Sequence, residues 1–448
     1  RDTDRSRGLG DVYKRQMLRH LGLAGKTVII DECHAYDRYM YVYLENSLRW
    51  MAAYNVPVII LSATLPPDKR AELIKWYTGS KNSFDNSSMA YPVLTWSDGA
   101  EVKQKDIPVD IPDKPITVIR REENDSNDIV NLLEDKLSDG GCAAVIVNSV
   151  AYSQELADTI AANMPDYRVI CFHSRLISTD RAVIERELTE LVGKKSTCEK
   201  RDKLIVVGTQ VLEQSLDIDF DYMITELCPM DLLLQRSGRL HRHNRTRPDK
   251  LSEPELCVLI PEDFSKSVYS GWILKQTEKY LPDKLVIPGC IPELVGAVYS
   301  EPDNDEQQTA EYRKYSDEQK EKKQRAKKYC IPSQKINRSD STLSDMINRR
   351  ELNNDSDGEA AVRDGQETIE ALVLVKTSDT EYSLFSRDAV FDITSVPDNA
   401  QAKLIAKQRL RLPAFFSKSY NFGKTIEILA NSMPQAVSYT HLTLPTKL

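Results

Sequence analysis

Apolar strand-like runs alternate with helix-period stretches as far as residue 260, and no other feature restricts the fold so tightly. Thr27–Ile30 predicts a buried strand. Tyr36–Tyr54 then places Met40, Leu44, Leu48 and Met51 on one helical face, at steps of four, four and three. Val56–Leu61 predicts the next strand and Asp68–Tyr77 the next helix. After a polar stretch from Thr78 to Lys114, strands are expected near Ile116–Ile119, Ala143–Val147, Val169–Phe172, Leu204–Val207, Tyr222–Ile224 and Leu256–Ile260. Repeated strand–helix–strand units imply parallel sheets flanked by helices, an α/β fold. A lobe boundary is expected near Asp113–Pro115.

Past Pro261 the pattern changes. Ser265–Tyr280 and Ile291–Tyr299 predict helices. Glu301–Lys328 has almost no aliphatic residue and charge of both signs, which predicts a solvated helix or a flexible linker. A small unit follows, with a strand at Thr368–Lys376, a hairpin partner at Glu381–Phe385 and a helix at Asn399–Arg409. The two ends read differently. Back-translated, Asp11–Gln16 and Val437–Leu442 are one DNA tag in opposite orientations, so 1–16 and 437–448 are expected to be sequencing scars around an internal fragment.

Composition narrows the function classes. No apolar run approaches the roughly 20 residues of a membrane-spanning helix, so no membrane partner is expected. The eight cysteines never fall as C-x-x-C, which argues against a zinc ribbon and fits a reducing, cytoplasmic setting. With 60 Lys+Arg against 68 Asp+Glu and a net charge of -8, bulk charge gives no reason to bind nucleic acid; a local site must.

Candidate sites follow predicted strands. Asp31-Glu32-Cys33-His34 comes directly after the first, where ligands collect in doubly wound sheets. An aspartate there can hold Mg²⁺ and the next carboxylate can orient or deprotonate water, although two acids capping a helix read equally well. Ser62-Ala63-Thr64 follows the second strand in the same way. The segment from Gly208 to Asp219 opens a strand-to-helix turn whose amides can meet a phosphate; alternatively it is a capped helix start with Asp217 and Asp219 as turn residues. From Arg236 to Arg247 there are five arginines, two histidines and no acid. Arg236, Arg239 and Arg242 recur every three residues, as if on one side of a helical turn or two. Guanidiniums clamp phosphate oxygens and neutralise charge on a transferring γ-phosphate. A plain basic patch is the alternative.

In this order, D-E-C-H, S-A-T, G-T-Q-V-L-E-Q-S-L-D and Q-R-S-G-R-L-H-R resemble motifs II, III, V and VI of the DEAD/DEAH-like superfamily 2 helicases. VIIDECHAYDRYM, PVIILSATLP, QVLEQSLDIDFD and LLLQRSGRLHRH look like the CRISPR-associated helicase–nuclease of type I systems, most of all the type I-E branch. The resemblance covers 17–436. It implies two RecA-like parallel-sheet lobes, the first incomplete (17–114) and the second at 115–262. A helical linker (263–345) and a small α+β C-terminal domain (346–436) follow; Ala361-Val362-Arg363-Asp364-Gly365 resembles the family's accessory domain. The implied cofactors are ATP and Mg²⁺. Asp31 would hold the metal and Glu32 would activate water. His34 and Gln235 would contact nucleotide, with His34, Ser62 and Thr64 coupling hydrolysis to movement. Arg239 and Arg242 would be the arginine fingers. Thr209 and Gln210, with Asn148, His173 and Arg175, would touch the strand's backbone. The implied activity is ATP-driven movement along single-stranded DNA, fed to an HD nuclease with its own divalent metal after recruitment by a Cascade-type guide-RNA surveillance complex.

The sequence departs from that pattern in two places. Gly25-Lys26-Thr27 and Gly423-Lys424-Thr425 mimic the end of a phosphate loop, G-x-x-x-x-G-K-[ST], but His20 and Lys418 stand where its first glycine belongs. No His-Asp dipeptide occurs. The phosphate loop and the nuclease are therefore expected upstream in the intact gene, and this stretch alone is expected to be inactive. Two other readings remain: a superfamily 2 repair or RNA helicase outside CRISPR, and a non-catalytic nucleic-acid-binding module.

Overall fold

The computed structural model describes residues 22–23, 25–33, 37–79, 88, 90–98, 101–108, 112–122, 125–213, 216–329, 369–378, 380–385, 389–392 and 397–431. His34, the stretch 361–365 and both end segments lie outside the described residues. Contacts divide the chain into two units. One holds the described residues up to Asp113 together with those from Ile287 to Tyr329. The other holds Lys114–Val286 together with those from 369 onward.

In the first unit, strands β1 (Val28–Ile30) and β2 (Val58–Ile60) pair in parallel, Val28 opposite Val58 and Ile30 opposite Ile60. The helix Arg38–Ala53 crosses between them, capped by Asp37, whose side chain accepts from the Met40 N–H. Its Tyr41, Leu44, Leu48 and Met51 pack with Cys33, Val56 and Leu73 onto the inward strand residues Val28, Ile30, Val58 and Ile60. Met40, expected on that face, is only partly buried. Strand alternation turns Ile29 and Ile59 the other way, and they are 63% and 47% exposed.

Tyr39 and Val42 line a second flank of this helix and pack on Ala326. Ala326 belongs to the helix Ala310–Tyr329, which also pairs Lys322 with Asp37 at 3.5 Å. The expected solvated helix or flexible linker is thus a docked helix. Its charge concealed this because one fully buried alanine carries the contact. The supposedly polar stretch 78–114 also contains an antiparallel hairpin, β3 (Val93–Ser97) with β4 (Val102–Asp106). Asp98-Gly99 between two alternating runs was its sequence signal.

The second unit is built on a seven-stranded sheet: β5 (Lys114–Glu122), β6 (Cys142–Ile146), β7 (Arg168–Phe172), β8 (Leu204–Gly208), β9 (Tyr222–Glu226), β10 (Glu255–Ile260) and β11 (Lys284–Ile287). Across the sheet the order is β11, β5, β10, β9, β6, β8, β7. The pairs from β5 through β7 are all parallel. Every residue of β6 and β8 is buried, as central strands covered on both faces must be. The helices Ser126–Lys136 and Val150–Asn163 supply Ile129, Leu133, Leu156 and Ile160 to an apolar cluster shared with the sheet. The edge strand β11 was not expected from the sequence, and the helix expected from Ser265 starts only at Gly271.

The stretch 263–345 is divided rather than set apart. The helix Gly271–Tyr280 belongs to the second unit, and the helices Ile291–Tyr299 and Ala310–Tyr329 to the first. The C-terminal part is α+β. β12 (Glu370–Leu372) pairs antiparallel with β16 (Arg409–Arg411), and β13 (Val375–Lys376), β14 (Glu381–Ser383) and β15 (Val390–Asp392) form a separate antiparallel sheet. The single strand expected over Thr368–Lys376 is therefore two strands in two sheets. The helices Asn399–Ala406 and Ser419–Asn431 accompany them. No helix among the described residues is long and apolar enough to cross a membrane.

Candidate active site

In the first unit the candidate residues occupy the turns after two neighbouring parallel strands. Leu61 N–H donates to the Ile30 carbonyl at 2.8 Å, and Cys33 N–H to that of Leu61 at 3.5 Å. Asp31-Glu32 and Ser62 thus leave the sheet side by side. The turn after β1 is strained: Glu32 has φ 53, uncommon for a residue with a β-carbon, and its N–H is held by Asp31 Oδ1 at 2.9 Å. Both carboxylates are exposed. Between them and His34, Cys33 is fully buried. Burial raises its thiol to about 11, and a side-chain hydrogen bond with Ser62 opposes the rise. Cys33 therefore ties the two turns together, a role its place between charged neighbours did not announce. Thr64 is 4% exposed, and its Oγ1 has no hydrogen-bond partner among the described residues.

Gly25-Lys26-Thr27 runs straight into β1, and Gly423-Lys424-Thr425 lies inside the helix Ser419–Asn431. Neither turns from a strand into a helix N-terminus, so neither can cradle a phosphate.

In the second unit the candidates gather at the carboxyl ends of four adjacent strands. Asn148 follows β6, His173 and Arg175 follow β7, Thr209 and Gln210 follow β8, and the helix Met230–Ser237 follows β9. Their availability differs. Thr209 is wholly buried, so its side chain offers a strand no surface. Asn148 is committed inward, its Nδ2 donating to the Leu227 carbonyl and its Oδ1 accepting from Arg236. His173 is 5% exposed and touches Gln154; burial lowers its pKa, with Arg175 adding to the effect. Gln210 and Arg175 are exposed, and Gln235 is half-buried.

The arginine run is not one face of a helix. The helix ends at Ser237, and only Arg236 lies within it. Arg236 is fully buried. It donates to Glu213 at 2.7 Å, to Thr225 Oγ1 at 2.6 Å and to the Glu226 carbonyl at 3.1 Å. Arg239 donates to the Glu213 carbonyl at 2.7 Å, and Arg242 to Asp217 at 2.7 Å. Arg245 pairs with Asp219, and Arg247 with Asp219 and Asp221. Arg201 joins the same aspartates from the helix Cys198–Arg201. The acids missing from the arginine run itself come from the Glu213–Asp221 segment, which corrects its reading as a face free of acids. Arg242 is the most open of the arginines in those ion pairs, 42% exposed. Its hydrogen bond is the chief cause holding the Asp217 carboxyl below the ordinary range.

Two family models match this chain: "CRISPR-associated nuclease/helicase Cas3, C-terminal" at residues 139–245 and "Cas3 C-terminal domain" at 363–442. Among curated relatives, the CRISPR-associated nuclease/helicase Cas3 of Streptococcus thermophilus is 39% identical, over 93% of this chain and 47% of its own length. Over these stretches the chain is similar to the Cas3 family of CRISPR-associated helicases. T. fusca Cas3 superposes with a TM-score of 0.74 at 28% identity, over 87% of this chain and 48% of that one. The same Cas3 solved with ATP gives a TM-score of 0.73 at 26% identity, over 88% and 48%. A chain of a structure described as a CRISPR RNA-guided surveillance complex, pre-nicking, gives 0.70 at 26%, over 88% and 50%. The chain thus spans about half the length of the Cas3 relatives it matches.

Proposed function

We propose that this chain is part of an ATP-dependent translocase that moves along single-stranded DNA in CRISPR interference. In that reading the intact protein feeds the strand to a nuclease after recruitment by a guide-RNA surveillance complex. The observation that carries it is the pair of turns after β1 and β2, fastened through Cys33 and Ser62 with Asp31 and Glu32 left open to solvent. A similar Cas3 solved with ATP, and the similar chain from a surveillance-complex structure, support the nucleotide and the partner.

The donor chemistry fits Mg²⁺. No group of three or more metal-ligating side chains occurs among the described residues, but Mg²⁺ commonly takes one or two carboxylates and completes its shell with water and phosphate. Asp31 would hold the ion, which when bound neutralises phosphate charge. Glu32, on its strained turn, accepts the proton of the attacking water. Arg239 and Arg242 offset the charge that develops on the γ-phosphate. Gln210 and Arg175 supply the exposed donors for a nucleic-acid backbone, while Thr209, His173 and Asn148 shape the turns that carry them.

The test is Glu32→Gln in the intact protein, with the 448-residue chain assayed beside it. DNA-stimulated ATP hydrolysis should fall by about 10²-fold or more in the variant, with ATP and DNA binding retained. The isolated chain should show none. Parental turnover by Glu32→Gln would remove Glu32 as the base.

A further inference from the structure

The turn bearing Arg239 and Arg242 is bound at each backbone polar group from the Arg239 N–H to the Arg242 N–H. Arg239 N–H donates to the Arg236 carbonyl at 2.8 Å, and Leu240 N–H to that of Ser237 at 3.1 Å. Phe220 receives the His241 N–H and donates its own to the Arg239 carbonyl, both at 2.9 Å. Arg242 N–H reaches Asp219 Oδ1 at 2.8 Å. These partners all lie between Asp219 and Ser237. The carbonyls of Leu240 and His241 are taken instead by one distant side chain, the ammonium of Lys114. They belong to the peptide units on either side of the His241 α-carbon, where a φ of 49 puts the backbone in the left-handed region. An ammonium carries three donors on a compact centre, so it can serve two converging carbonyls at once. Lys114 opens β5, and no other candidate residue lies near it in sequence.

We infer that Lys114 is the positioning residue of the arginine turn: by gathering the Leu240 and His241 carbonyls it sets how Arg239 and Arg242 present their guanidiniums to phosphate. The inference rests on the function proposed above. Without the ammonium, two carbonyls beside a strained residue lose their donor, and the turn has reason to relax toward another backbone conformation. Asp219 favours the charged amine, while Arg247 and Arg242 oppose it, and burial is the main reason its pKa falls to about 8. The His241 imidazole also faces it. Asp219 is the one charge here that favours a lysine, and the two carbonyls are what receive its hydrogen bonds.

The experiment is steady-state DNA-stimulated ATP hydrolysis by the intact protein carrying Lys114→Met, Lys114→Arg, Arg239→Lys or Lys114→Met with Arg239→Lys. Lys114→Met should lower kcat by about tenfold to a hundredfold and leave KM for ATP within about twofold. Lys114→Arg, which keeps donors for both carbonyls, should recover most of the loss. With Arg239→Lys already present, Lys114→Met should cost less than about twofold more, because both changes act on one turn. If Lys114→Met lowers the melting midpoint by more than about 5 °C, Lys114→Leu, which also has no donor, is measured in its place, with the same kcat loss expected. Parental kcat for Lys114→Met while Arg239→Lys is impaired overturns the inference alone. Multiplicative losses in the double variant also overturn it, since they mark damage elsewhere in the fold. Parental turnover by Arg239→Lys overturns the arginine reading, and this inference with it.

Discussion

At the scale of single residues, what matters is how the arginine run is neutralised. Arg236 and Glu213 are buried together at 2.7 Å, so removing one leaves the other's charge in the interior. Burial pushes the Glu213 carboxyl up, and the Arg236 guanidinium opposes that shift. Arg236→Met should cost about 3–5 kcal/mol, read as a melting midpoint roughly 6–20 °C lower. Adding Glu213→Leu should return much of it, because an apolar pair can replace a buried ion pair at little cost. No recovery in the double variant would mean that the remaining Arg236 bonds, to Thr225, Glu226 and Asn148, carry the stability. His241 gives the pH dependence. Burial, helped by Arg247 and Lys114, lowers its pKa from 6.5 to about 4, so the folded protein holds it neutral. Between those values the unfolded chain binds the extra proton. Its stabilisation is complete above about 6.5 and is lost as pH falls toward 4. Melting midpoints measured over that range should drop on acidification, and His241→Asn, which tolerates the left-handed backbone, should flatten the slope. An unchanged slope would remove His241 as its source.

Among the secondary-structure elements, the helices of the first unit depend on one another more than their composition suggests. The helix Arg38–Ala53 buries one flank on β1 and β2, and another on the helix Ala310–Tyr329 through Ala326. Ala326→Glu puts a carboxylate where no side chain longer than a methyl now fits. It should cost more than about 2 kcal/mol locally. Hydrogen exchange would report it as lost amide protection over both helices, and unchanged protection would show that the ion pair of Lys322 with Asp37 holds them unaided. The hairpin β3–β4 and the edge strand β11 belong to this scale too. Short runs flanked by turns carry weak periodicity, so they escape a reading that weighs longer alternation.

For the whole molecule, the two-stranded sheet of the first unit leaves Ile29, Ile59 and Leu61 at 63%, 47% and 48% exposure. Ile29 and Ile59 are register partners, so the exposed apolar surface is continuous on one face. Such a face drives association. The 448-residue chain should therefore elute as heterogeneous oligomers, and Ile29→Lys with Ile59→Lys should enlarge the monomer fraction in light scattering. A monodisperse parent would sink this. The α/β class, the strands that lead into Asp31, Ser62, Asn148, His173 and Thr209, and the resemblance to the family were legible in the sequence. Apolar runs and their spacing are local properties that survive without knowledge of partners. Which acid meets which arginine, that Thr209 and Asn148 face inward, that Cys33 fastens two turns and that Lys114 reaches the Arg239–Arg242 turn were decided by tertiary structure alone. Those contacts join residues far apart in the chain, and a pairing energy depends on burial and geometry that no spacing encodes.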